Sequence, residues 1–112
     1  MSERSPSDAL VPKHLVPLVA ALNGRFAPDA IWLFGSRARG DHGPDSDWDL
    51  VLALSDTAPE ADLDPLEAWL VARRFGVRAT ILAARSGDID EAWGVPNTIG
   101  YDLAREGRRL RV

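Results

Sequence analysis

Two aspartates, Asp47 and Asp49, flank Trp48, and they follow a Gly35-Ser36 pair after an interval of ten residues. In an extended chain alternate residues face the same way, so the two carboxylates share a side while Trp48 points to the other, toward a core. Strands disfavour aspartate, so something other than sheet propensity selects this pair. Two carboxylates about 4 Å apart at an effective dielectric near 20 repel by roughly 4 kcal/mol. A divalent cation between them removes that cost, and Mg²⁺ takes one or two carboxylates together with phosphate oxygens. Upstream, glycine allows close approach of backbone to a phosphate and serine adds a hydroxyl. Arg37, Ala38 and Arg39 follow and would open a helical turn whose N–H groups face the same spot. Phosphates and aspartates repel each other without a metal, so the pieces together describe metal-assisted nucleotide transfer.

Elements must bring these residues together. AIWLF (30–34) reads as a short apolar strand running into Gly35, and WDLVLAL (48–54) as a second strand, buried on both faces beyond its first residues. From 9 to 26 the apolar residues Leu15, Leu18, Val19 and Leu22 recur at helical spacing, with Pro12 in a first turn and Pro17 demanding a kink or a restart. Residues 65–74 read as a helix ended by Gly76, and 77–82 as a third strand. SGDIDEAWG suggests a short helix, and NTIGYDLAREG a last one with Asn97 as N-cap and Gly107 at C′. RRLRV closes the chain as a candidate edge strand. The order is α-β-β-α-β-α. This is an α+β domain, a small mixed sheet with helices packed against it. Residues 1–8 are expected to be flexible and 9–112 to form one domain.

Composition bounds the function. The chain has 112 residues, 46% hydrophobic and 27% charged, normal for a soluble globular protein able to bury a core. It has no cysteine and two histidines, which leaves neither a disulfide framework nor a His/Cys zinc site. No apolar run reaches the length of a membrane span, and the first residues lack the pattern of a signal peptide, so the cytoplasm is the expected location. Thirteen basic against 17 acidic residues give a net charge of −4, which argues against general nucleic-acid binding.

The Gly35-Ser36…Asp47-x-Asp49 spacing, with an apolar strand on each side, resembles the signature of the nucleotidyltransferase superfamily related to DNA polymerase β. Within it, GSRARG…DSDWDL and the closing EAWGVPNTIGYDLAREGRRL are most similar to the minimal nucleotidyltransferases of bacteria and archaea. The resemblance covers nearly the whole chain. It implies Mg²⁺ with ATP or another NTP, the triphosphate on Gly35 and Ser36, and the metal on Asp47 and Asp49. It also implies a protein partner, since such proteins often act as antitoxins to a HEPN-domain toxin, some by adenylylating a toxin tyrosine.

One position departs from the family pattern. Active members take a third carboxylate from the next core strand, yet VRATILAA holds no acid and Arg78 is aligned with the position. A guanidinium is neither a metal ligand nor a base. Arg78 would then pair with Asp47 or Asp49 and leave a degenerate binding module. Alternatively, the two aspartates suffice for one metal while another group or water takes the proton. Glu67, Asp88 and Asp90 are the nearest other acids, outside any expected strand. A small-molecule transferase is a third option, although those enzymes usually carry an added helical domain. Arg37 and Arg39 are read as phosphate contacts or parts of a solvated turn, His42 as a loop residue and His14 as an exposed helical one. The four tryptophans are read as core or interface packing, Tyr101 as core packing, and the Arg105–Arg111 cluster as a solvated terminus.

Overall fold

Two short apolar runs build the centre of the sheet. AIWLF forms β2 (Ala30–Phe34) and WDLVLAL forms β3 (Trp48–Leu54), paired antiparallel with Phe34 opposite Asp49. In the computed structural model, which describes residues 8–111, three further strands join them: β1 (Asp8–Leu10), β4 (Ala79–Arg85) and β5 (Arg108–Arg111). The order is β1-β5-β2-β3-β4. β4 runs parallel to β3 and β1 parallel to β5, while β5 lies antiparallel to β2. The α+β class with a mixed sheet is the expected one.

Helices cover both faces. On one side α1 (Val16–Phe26) and α3 (Pro65–Arg74) pack over Leu50, Leu52 and Leu54, all three fully buried. On the other side α4 (Ser86–Ala92) and α5 (Ile99–Glu106) pack through Ile89 and Leu103 against Val51 and Ala53. Burying a leucine of this kind contributes about 1.5–3 kcal/mol, so β3 is clamped from both sides. That fixes Trp48 toward the α1/α3 layer and Asp49 toward the α5 side.

Several expectations need correction. The helix expected over 9–26 is divided: residue 11 precedes Pro12 and is steered away from helical geometry. The chain instead runs as β1, a 3-10 turn at Lys13–Leu15, and α1 with Pro17 in its first turn. The segment expected to be flexible falls outside the described residues, apart from Asp8, whose backbone pairs in β1. RRLR is an interior strand rather than an edge, because β1 covers its free side. The arginines themselves are solvated as expected, with Arg105, Arg108 and Arg109 exposed, although Leu110 among them is buried and Arg108 Nε donates to the Ala38 carbonyl at 2.9 Å. Asn97 does not cap α5; it adopts φ 68°, and the next residue, Thr98, accepts the Tyr101 N–H at 3.2 Å. Gly107 follows α5 in extended geometry, not the left-handed one. Finally, the third strand begins at Ala79, so Arg78 precedes it.

Candidate active site

Strand ends and one short helix converge at a single rim of the sheet. β2 ends at Phe34, Gly35 turns the chain, and α2 (Ser36–Arg39) begins at once. Gly35 has φ 77° and ψ −161°, a region that is essentially glycine-only. A side chain there would also collide with Asp49 Oδ2. The glycine is thus required twice, by the turn and by the carboxylate lying against it.

Asp49 occupies the second position of β3, half-buried, and Asp47 stands just before the strand. Burial, with the neighbouring Asp47 charge second, holds the Asp49 carboxyl above the ordinary aspartate range. Arg39 opposes the rise and the charge of Glu106 adds to it. A cation would offset both the burial and the neighbouring charge, and the hard carboxylate oxygens of Asp47 and Asp49 suit Mg²⁺. Among the described residues no three acids converge into a metal cluster, so a cation held here would complete its shell with water and phosphate oxygens.

The arginines divide by role. Arg37 lies over the Trp48 ring at 4.2 Å and donates through Nε and Nη2 to the Ser46 carbonyl, at 3.2 and 2.9 Å. It fastens the loop that carries Asp47 onto the core tryptophan. His14 meets the same ring edge-on at 4.8 Å, so that exposed histidine packs on Trp48. Arg39 is held at the rim by Asp41 at 3.1 Å and by Glu106 at 3.1 Å. Arg78 pairs with Asp47 at 3.3 Å, both side chains about half exposed or more. Its carbonyl accepts the Trp48 N–H.

The pairing of β3 with β4 sets Thr80, not Arg78, beside Asp49. Neither is an acid. The other acids do not fill the gap: Glu67, on α3, pairs with Arg25 of α1 at 3.2 Å, while Asp88 and Asp90 lie on α4, beyond the far end of β4. Two residues at the rim were not foreseen. Thr80 follows only from strand register. Glu106 ends α5, 71 residues from Gly35, and accepts the Gly35 N–H at 2.7 Å; its only sequence signal was a carboxylate at the end of the last helix. Trp69 and Trp93 are about half exposed and His42 is an exposed loop residue.

The chain is similar to known proteins over much of its length. A family model described as "Polymerase beta, Nucleotidyltransferase" matches residues 18–90, which include both strands, the Gly35 turn and the aspartate pair. Among solved structures, one described as a toxin-antitoxin with AMP-PNP is similar at a TM-score of 0.55 and 18% identity, over 88% of this chain and 72% of that one. A proposed nucleotidyltransferase from Sulfolobus solfataricus is similar at a TM-score of 0.52 and 22% identity, over 70% of each chain. At these identities the likeness is one of fold. No curated protein sequence matches the chain significantly.

Proposed function

Because this chain belongs to the polymerase beta nucleotidyltransferase family, we propose that it transfers a nucleoside monophosphate from ATP or another NTP to a hydroxyl of a partner protein. The observation that carries this reading is the seat itself: Asp49 lies against the Gly35 turn at the head of α2, with Asp47 beside it. Gly35 and Ser36 would hold the phosphates, and Arg39 would balance their charge. Mg²⁺ on Asp47 and Asp49 would neutralise charge on the phosphoryl group under attack. The acceptor oxygen bonds to the α-phosphorus, the bond to pyrophosphate breaks, and the hydroxyl proton leaves to water, since neither Thr80 nor Arg78 is a base. The antitoxin role, with a HEPN-type toxin as acceptor, draws on the resemblance in the sequence and on the likeness to a toxin-antitoxin structure.

A second reading is a partner-binding module without chemistry. It is favoured by the missing third acid and by the Arg78–Asp47 pair. Magnitude weakens it: an exposed ion pair contributes about 0–1 kcal/mol, too little to keep a divalent cation and triphosphate out. The deciding experiment offers the purified partner ATP labelled on its α-phosphate. Transfer that requires Mg²⁺ and disappears in Asp49→Asn supports the enzyme. Tight complex formation without transfer supports the binding module.

A further inference from the structure

We propose that Glu106 is a built-in anion that occupies the phosphate seat of the empty protein and must be displaced when a triphosphate binds. The inference rests on the nucleotide reading above and adds a regulatory step to it. Three observations carry it. The Gly35 N–H, the donor a phosphate oxygen would need at this turn, is already donated to Glu106 Oε2 at 2.7 Å. Arg39, on the short helix that follows that turn, donates through Nη1 to both oxygens of the same carboxylate, at 3.2 and 3.1 Å. The Glu106 side chain is only 23% exposed and lies on the wall of a cleft of about 360 Å³ that Arg39, Arg105 and Arg108 also line.

Charge-assisted hydrogen bonds of this kind are roughly twice as strong as neutral ones, so the carboxylate is a real competitor. One N–H serves one acceptor well, and two anions at one seat repel. Among the described residues no three acids converge into a metal cluster, and the Glu106 carboxylate is engaged by the Gly35 N–H and Arg39. Glu106 ends α5, and a change of its side-chain rotamer is the motion this displacement requires. The apparent affinity for a polyphosphate is then the intrinsic affinity reduced by the fraction of molecules in which Glu106 has left.

Calorimetry with inorganic triphosphate in the presence of Mg²⁺, at fixed ionic strength, tests this on wild type, Glu106→Gln and Glu106→Ala. Binding at least tenfold tighter in both variants is expected. Equal or weaker binding in the variants, with wild type binding normally, overturns the proposal and leaves the nucleotide reading intact; Glu106 is then a clamp that shapes the turn. No binding by any of the three proteins overturns both. If the variants fail to fold, wild type decides: on saturation with triphosphate the side-chain carboxyl carbon resonance of Glu106 must shift, and an unmoved resonance refutes displacement.

Discussion

At Gly35 two demands meet, a backbone conformation open essentially to glycine alone and a carboxylate that leaves no room for a Cβ. Gly35→Ala is therefore expected to cost about 1–3 kcal/mol from the backbone, with the displacement of Asp49 added. Urea denaturation reads this as a lower midpoint at unchanged slope; an unchanged midpoint contradicts it. Asp49 carries the opposite sign. Its folded pKa is raised, first by burial and next by Asp47, so its favourable contribution belongs to the protonated form and is lost as pH rises through the folded pKa. Asp49→Asn should stabilise the metal-free protein at neutral pH by roughly 0.5–2 kcal/mol, the usual yield of relieving a conflict built for function. The difference should shrink as pH falls toward the ordinary aspartate value of about 4. Thermal melts in EDTA across pH check it, and a variant less stable than wild type at neutral pH contradicts it.

Elements decide which residue stands where the family's third acid would be. The motif residues Gly35, Ser36, Asp47 and Asp49 were legible because each lies at the end of a short apolar strand whose bounds the composition marks plainly. Register between strands was not legible, since the run VRATILAA allows several offsets against β3. The register sets Thr80 beside Asp49 and leaves Arg78 before the strand, paired with Asp47. If a missing carboxylate limits transfer, Thr80→Asp should raise the initial rate by at least tenfold, whereas Arg78→Asp should change it less. Rates of label transfer to the partner distinguish the two, and the reverse ranking would refute the register argument. The same limit hid β1: three residues pair only because β5 returns from the far end of the chain, and no local period announces that.

For the whole molecule, the sheet with helices on both faces puts the ends of β2, β3 and α5 at one rim. The α+β class and most elements were legible from periodicity. Contacts between residues 35 and 106 were not, because a single hydrogen bond leaves no pattern in composition. Among the described residues no helix is long and apolar enough to cross a membrane. The cleft beside Glu106 is basic on its walls although the chain as a whole is acidic, at −4.

The central claim is that the Gly35 turn and the aspartate pair form one nucleotide and metal seat. Its most direct test is the melting temperature with and without ATP plus Mg²⁺, for wild type and for Asp49→Asn, each compared with its own unliganded form. At a ligand concentration near 100 times the dissociation constant, binding adds about 2.7 kcal/mol, a shift on the order of 10 °C in a domain of this size. The account predicts a shift in wild type that requires Mg²⁺ and is lost in Asp49→Asn. No shift in wild type, or an equal shift in the variant, would contradict it.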